Sequence, residues 1–256
     1  MPNPGPPKPG PPNPGPPNPG PLGTGLLLLA DSRLPAGGHA HSGGTERAIA
    51  AGAVHDVPSL ERFLRGRLHT AGALAAALAA AAAHHAATLS TGAPAGPEGS
   101  GTGDGGWAGL ETEADARTAS PAQREASRTQ GRLLLRVARR IWPSPVLDGL
   151  AGEVPSPHHP IVLGAAAHAA GATAGEAALA AAYHAVSGPA TAAVRLLGLD
   201  PVAVHATLAA LAPDLAAVAA RPAAPPAWAE LPAPSAPALD LLAEQHVRAE
   251  TRLFVS

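Results

Sequence analysis

Apolar residues recur at intervals of three and four along most of this chain, and this is the period of an α-helix. The clearest stretch is residues 58–89, where the spaced positions are Leu60, Phe63, Leu64, Leu68, Ala71, Leu74, Leu78 and Ala82. A stripe of this kind predicts one long helix with a face on a core. Its other faces are mostly alanine, so we expect neighbouring helices to approach closely on several sides, as around the central helix of a bundle.

Other stretches show the same period and predict further helices. They are residues 122–142, 161–171, 176–199, 201–220 and 238–250. Asp200 and Pro201 form a capping residue and a rigid first turn, whereas Gly188 and Pro189 are expected to kink or split the helix that contains them. Strand patterns are nearly absent, so the sequence predicts an all-α fold, a single-domain bundle of roughly eight to ten helices.

Two segments lack this periodicity. Residues 1–25 are rich in proline and glycine, and residues 3–22 repeat with a period of five, whereas a collagen helix needs glycine at every third position. We expect a disordered tail there. Residues 90–121 begin with a glycine-rich run and are expected to form a flexible insertion or linker.

A third feature, the stretch 26–50, combines a short apolar run with glycine pairs and turn-forming residues. The run at 26–30 is compatible with a helical turn or a short strand. Asp31 and Ser32 are expected to bind backbone N–H groups where it ends. The glycines that follow permit a tight turn, and a short helix is predicted from Glu46 toward His55.

The composition narrows the functional classes. Hydrophobic residues make up 46% and aromatic residues 2% of the chain, which favours closely packed helices. A net charge of -2 argues against binding to nucleic acid or to a membrane surface. The chain has no cysteine, which excludes disulfides, thiolate metal sites and a cysteine nucleophile.

Targeting signals are also missing from the sequence. The start of the chain lacks the basic segment and apolar core of a signal peptide, so we expect a cytoplasmic protein. Residues 71–89 have the length of a membrane helix, yet they are mostly alanine and include His84 and His85. We therefore predict no membrane span.

Motifs of known enzyme classes are absent as well. The chain has no nucleophile elbow, no zinc-protease motif and no nucleotide-binding P-loop, and its single lysine, Lys8, lies in the proline-rich tail. Gly101, Gly103 and Gly106 match a dinucleotide-binding pattern by count, but the required flanking strand and helix are not predicted. We expect no catalytic residue and no cofactor, and hence a protein that is not an enzyme.

Two groups of side chains leave alternatives open. His39 and His41, in a glycine-flanked loop, are weak candidate ligands for nickel, zinc or copper, although a stable site would need further ligands. Arginines at intervals of four along residues 124–140 form either a solvated face held by nearby acids or a surface for an anionic partner. They are Arg124, Arg128, Arg132, Arg136 and Arg140.

The stretch LADSRLPAGGHAHSGGTE resembles the N-terminal signature of UreF, a family of urease accessory proteins. The matching positions are Leu29, Asp31, Ser32, Pro35, Gly37, Gly38, Ser42, Gly44 and Glu46. His39 and His41 stand where the family often has aromatic residues. Similar matches occur in the arginine-rich helix, in residues 192–199 and near the C-terminus. The C-terminal matches are Ser235, Asp240, Glu244, His246, Arg252, Leu253, Phe254 and Ser256.

The resemblance implies a UreF-like domain at residues 26–250 and a C-terminal interaction tail at 251–256. It implies a non-catalytic chaperone that binds UreD (also called UreH), dimerises, recruits the GTPase UreG and assists nickel insertion into apo-urease. The implied partner-binding residues are Gly37, Gly38, Ser42, Arg195, Arg252, Leu253, Phe254 and Ser256. A free tail with Arg252 and Phe254 exposed would suit an interface. The alternative function is a helical small-molecule or metal-binding protein with the His39 and His41 loop at its mouth.

Overall fold

The computed structural model describes residues 24–31, 33–91, 105–221 and 227–256, apart from the side chain of His39. The regular elements in these ranges are all helices, as predicted. Nearly all of the predicted proline-rich tail at 1–25 and the first part of the glycine-rich stretch lie outside the described residues.

The helices are labelled here in chain order. They are α1 (Thr24–Ala30), α2 (Thr45–Ala50), α3 (Val57–Arg67), α4 (Ala73–Thr91), α5 (Gly106–Arg117), α6 (Pro121–Ile141), α7 (Pro145–Glu153), α8 (His159–Ala169), α9 (Ala174–Leu197), α10 (Pro201–Ala210), α11 (Ala212–Ala220) and α12 (Pro237–Val247). A π-helical turn, Leu68–Gly72, joins α3 to α4. Short 3-10 turns occur at Gly38–Ala40 and Trp228–Glu230.

Side chains cap several helix starts. Asp56 accepts a hydrogen bond from the Ser59 backbone N–H at 2.8 Å, and the Ser59 hydroxyl in turn accepts from the Asp56 N–H at 3.0 Å. Thr173 forms the same reciprocal pair at the start of α9. Asp200 caps α10 with Pro201 in the first turn, which confirms that prediction. These caps satisfy N–H groups that a helix leaves without partners.

The centre of the molecule is α4, which packs most extensively against α8 and α9. Its alanines face two apolar clusters: Ala77 and Ala82 belong to a cluster with α5, α7 and α8, whereas Ala76 and Ala80 belong to one with α3, α9 and α11. A central helix buried on several sides was the expectation from its alanine content, and the structure confirms it. Small side chains allow this because they let helix backbones approach closely.

Close approach is greatest where α4 meets α8. A Cβ atom at Gly164 would overlap the carbonyl oxygen of Ala79 and lie 2.8 Å from the Cβ of Ala82. Gly131 on α6 has the same relation to the backbone carbonyl of Pro157. Glycine at these two places is therefore required by contact with a neighbouring backbone.

The expected linker at 90–121 is wrong over part of its length, because Gly106–Arg117 forms α5. This helix buries Trp107, Leu110 and Ala114. The spacing of three and four was present in the sequence, but the glycines on either side of Trp107 obscured it. Tertiary burial outweighs the low helix propensity of glycine here.

Other element boundaries also differ from the sequence prediction. The long helix expected at 58–89 is present as one run with a π-helical turn in its middle, whereas the helix expected at 201–220 bends by 43° between α10 and α11. Pro213 in the first turn of α11 accounts for this break. In contrast, Gly188 and Pro189 do not split α9.

Among the described residues, one continuous helical run, Val57–Thr91, is long and apolar enough to cross a membrane, and the bent pair α10 and α11 would be a second if counted as one span. In the first of these, 67% of the most apolar 18-residue segment is buried inside the protein. A core helix therefore accounts for that composition.

The contact between α4 and α8 predicts the effect of two alanine substitutions. Gly164→Ala should lower the free energy of unfolding by about 1–3 kcal/mol, because the new methyl group overlaps a backbone atom. Gly149→Ala is the control, since a Cβ there meets nothing within 4 Å, and it should raise stability by about 0.5–1 kcal/mol through helix propensity. Urea unfolding followed by circular dichroism measures both. Equal effects of the two substitutions would contradict the packing argument.

Candidate partner-binding corner

The loop that connects α1 to α2 begins with a turn built on Asp31. Its carboxylate accepts a hydrogen bond from the Arg33 backbone N–H at 2.9 Å and forms an ion pair with the Arg33 guanidinium at 2.8 Å. These bonds from Arg33 hold the pKa of Asp31 below its ordinary value. The expectation that Asp31 binds backbone N–H groups here is confirmed, whereas Ser32 lies outside the described residues.

Residues 37–46, named here the glycine corner, follow this turn. Gly37, Gly43 and Gly44 have φ angles of 77°, 59° and 90°, which are positive values that favour glycine. At Gly43 a Cβ would lie 3.0 Å from both the Nη2 atom of Arg67 and the Cγ atom of Pro189. The missing side chain therefore lets the corner lie directly on α3 and α9.

The C-terminal tail, residues 251–256, is bound along this corner. The Val255 N–H donates to the Ala40 carbonyl at 2.8 Å, and the Ser42 N–H donates to the backbone oxygen of Ser256. The Nδ1 atom of His41 lies 2.5 Å from the Ser256 hydroxyl. Two sequence signatures from opposite ends of the chain thus form one surface.

Glu46 also binds the backbone of the C-terminal tail. Its carboxylate accepts backbone N–H groups from Leu253 at 2.7 Å and from Phe254 at 3.2 Å. The Nε2 atom of His246 lies 3.1 Å from the Phe254 carbonyl oxygen, and its Nδ1 atom lies 3.8 Å from Glu46. The acidic side chain also lies in the first turn of α2, where the helix dipole favours negative charge.

The predicted partner-binding residues divide by exposure. Phe254, expected to be exposed, is buried, whereas its neighbour Leu253 is 79% exposed. The backbone bends at these two residues, and the bonds from both of their N–H groups to Glu46 hold the Phe254 side chain inward and the Leu253 side chain toward solvent. The other predicted residues have these exposures: Arg252, Gly38 and Arg195 are exposed, Gly37 and Ser256 are half-buried, and Ser42 is buried. Arg195 lies on α9, six residues beyond Pro189, or about 9 Å along the helix axis.

The described residues provide no site for the alternative function, a metal-binding protein that uses the His39 and His41 loop. Within the described residues there is no group of three or more histidine, cysteine, aspartate or glutamate side chains that could hold a metal ion. His41 is buried and bonded to Ser256. The side chain of His39 is not described, so its contribution stays a prediction.

A second polar group, named here the His158 cluster, lies between α5, α6 and α8. The His158 N–H donates to Glu111 at 2.8 Å, and its Nε2 atom lies 3.0 Å from Asp115. Arg128 donates to the other oxygen of Asp115 at 2.5 Å. Burial raises the pKa of Glu111 to about 7 and lowers the pKa of His158. Burial also acts to raise the pKa of Asp115, but its bonds with His158 and Arg128 outweigh that effect and lower it.

The His158 cluster was missed from the sequence because its two acids lie in the expected linker. Glu111 and Asp115 are four residues apart, the spacing that places side chains on one helix face, so the pattern was visible once α5 was recognised. The cluster also explains the position of two of the arginines that recur at intervals of four along residues 124–140. Arg124 and Arg128 approach Asp115, at 3.9 and 2.5 Å, as the interpretation of a face held by acids predicted.

The fold is all-α, and the candidate site is the glycine corner together with the C-terminal tail that is hydrogen-bonded to it. A family model for UreF matches residues 54–212. The chain belongs to the UreF family, and the resemblance seen in the sequence is confirmed. Proteins of this family are accessory proteins in urease maturation, and this chain shares that role.

Relatives from Mycobacterium and Mycolicibacterium species extend this match over most of the chain. A protein of Mycobacterium sp. strain JLS is 45% identical over 234 residues, which cover 91% of this chain and 98% of that relative. One from Mycolicibacterium vanbaalenii is 44% identical over 231 residues, 90% of this chain and 97% of the relative. One from Mycobacterium tuberculosis strain H37Rv is 41% identical with the same coverage. All three are named urease accessory protein UreF.

The raised pKa of Glu111 predicts a pH dependence of stability. The pKa of about 7 in the folded state exceeds the ordinary 4.5, so protonation favours folding. Relative to Glu111→Gln, the wild type should be most stable below about pH 4.5 and should lose about 2–3 kcal/mol as the pH rises through 7. Chemical unfolding across this range measures the difference. Glu125→Gln, at an exposed acidic position, is the control, and a pH-independent difference for Glu111→Gln would contradict the assignment.

Proposed function

We propose that this chain is a non-catalytic chaperone of urease maturation that joins UreD/UreH to the GTPase UreG and assists nickel insertion into apo-urease. In this proposal it acts in the cytoplasm as a homodimer within the accessory complex and influences GTP hydrolysis by UreG. It needs no cofactor, nucleic acid or membrane. The family match and the names of the relatives support the accessory part of this function. The rest is supported by the surface chemistry of the corner and of α9.

The observation that carries the proposal is the exposed Leu253 on a fixed backbone. Its N–H is bonded to Glu46, and the neighbouring Phe254 is buried. A large apolar side chain held in one place loses little conformational freedom when a partner covers it, and this favours binding. Val255, which is 56% exposed, and Arg252 extend the same surface. We assign this surface, the C-terminal tail on the glycine corner, to UreD/UreH.

Arg195 supports a second contact. Its side chain is exposed near the end of α9, and among the described residues no carboxylate lies within ion-pair distance of it. An arginine without an internal partner is available to carboxylates of another protein. We assign Arg195 and the adjoining surface of α9 to UreG, so that the two contacts use different parts of the molecule.

The first assignment is tested with Leu253→Asp. A carboxylate at the centre of an apolar contact must be desolvated, so co-purification with UreD/UreH should fall by at least about ten-fold. The helical circular dichroism should stay unchanged, because the side chain is exposed. Val202→Asp is the matched control, since Val202 on α10 is 76% exposed, and it should bind as the wild type does. Full binding by Leu253→Asp would refute the assignment of the tail.

The second assignment is tested with Arg195→Ala. Recruitment of UreG into the complex should weaken, and urease activation in a reconstitution with nickel, GTP and apo-urease should fall with it. Binding of UreD/UreH should be retained, because the tail is unchanged. Arg221→Ala, at an exposed arginine after α11, provides the control. Normal activation by Arg195→Ala would show that this arginine does not contact UreG.

A further inference from the structure

A cavity of about 230 Å³ lies beneath the glycine corner. Helices α4, α6, α8, α9 and α12 form its walls, and Gly43, Gly44 and Ser256 contribute from the corner and the tail. Alanine and leucine contribute ten of the 24 described lining residues, and about as many are polar, mostly histidine, glutamine and serine. No aspartate or glutamate is among the described residues that line it.

Arg67, the last residue of α3, is the one arginine among the described lining residues. Its Nε atom donates to the Ala185 carbonyl at 2.9 Å. Within the described parts of the chain, neither Nη group has a hydrogen-bond acceptor and no carboxylate lies within ion-pair distance of this side chain. Arg65, two residues earlier, pairs with both Glu61 and Asp214. Arg67 is thus a half-buried guanidinium in the cavity wall, and its two Nη groups pair with no aspartate or glutamate of the described residues.

The two Nη groups of Arg67 are donors that the described residues leave unused. Burial lowers the pKa of Arg67 to about 10, which still leaves the side chain charged at neutral pH. A guanidinium whose donors are unused at the wall of a cavity without acidic side chains is suited to an anionic ligand. Gly43 adds to this argument, because its missing Cβ leaves the space that the Nη2 atom of Arg67 occupies.

We propose that this cavity binds a small carboxylate, with Arg67 donating from its two Nη groups to the two carboxylate oxygens. The planar guanidinium matches a carboxylate in this bidentate geometry. The inference goes beyond the proposed function, because it concerns a ligand held within the chain and not a protein bound at its surface.

The size of the cavity limits the ligand. Pockets for drug-sized molecules have volumes of about 300–1,000 Å³, so this cavity suits a carboxylate with a short apolar tail, such as acetate or propionate. Ala71, Ala75, Ala126 and Ala181 supply apolar surface for that tail. A nucleotide exceeds the available volume.

The charge of the cavity favours a monoanion. Burial lowers the pKa of His159 to about 3 and also lowers the pKa of His184, so both imidazoles are neutral at physiological pH. They can form hydrogen bonds but add no positive charge. A single guanidinium balances one negative charge, and a dianion would bring an uncompensated second charge into the protein.

The test is isothermal titration calorimetry of the purified full chain with acetate and propionate, at constant ionic strength and with chloride as the reference anion. We expect saturable binding of one carboxylate per chain, and weaker binding of malonate as a dianion. Arg67→Gln should weaken affinity by at least about ten-fold, whereas Arg62→Gln, which removes an exposed arginine of the same helix, should not. The absence of saturable binding to the wild type would overturn the proposal.

A second variant guards against misfolding of Arg67→Gln. Ala126→Leu keeps Arg67 and fills part of the cavity from α6, so it should also lose carboxylate binding. Equal affinity in the wild type, Ala126→Leu and Arg67→Gln would place any bound carboxylate elsewhere and refute the site. Co-purification with UreD/UreH and UreG is measured on the same variants. Loss of carboxylate binding with normal partner binding separates this inference from the proposed function.

Discussion

The contact between the backbones of α4 and α8 at Gly164 and Ala79 determines how the rest of the molecule is arranged. Because no side chain separates the two helices there, α4 can be enclosed by α8 on one side and by α9 on another. Alanine on the remaining faces maintains this close spacing. A helix with bulkier residues would hold its neighbours apart, and the two apolar clusters that share α4 would no longer meet along it.

The glycine corner depends on this arrangement. It lies on α3 and α9, and Gly43 allows it to approach Arg67 and Pro189 closely. Glu46 then holds the backbone of the C-terminal tail, which leaves Leu253 exposed and Phe254 buried. The surface proposed for a partner is therefore set by backbone hydrogen bonds, and the cavity below it shares some of the same residues.

Much of the fold could be predicted from the sequence, because helical periodicity and capping residues are local signals. Asp200 with Pro201 is one example. Helix α5 was missed because glycines surround Trp107, and its burial depends on contacts with distant parts of the chain, including Trp228 near the C-terminus. The corner signature was visible, yet only the three-dimensional structure shows that the tail lies upon it. Arg67 could not be recognised as unpaired, since the sequence contains many possible acidic partners.

The bond between His41 and Ser256 joins residues 215 positions apart, and this separation has a consequence for biosynthesis. Contacts so distant in sequence form late, since the intervening chain must first be ordered. During translation the corner has no tail to bind until residues 251–256 have been synthesised. The surface that displays Leu253 is consequently absent from nascent or truncated chains that lack these residues.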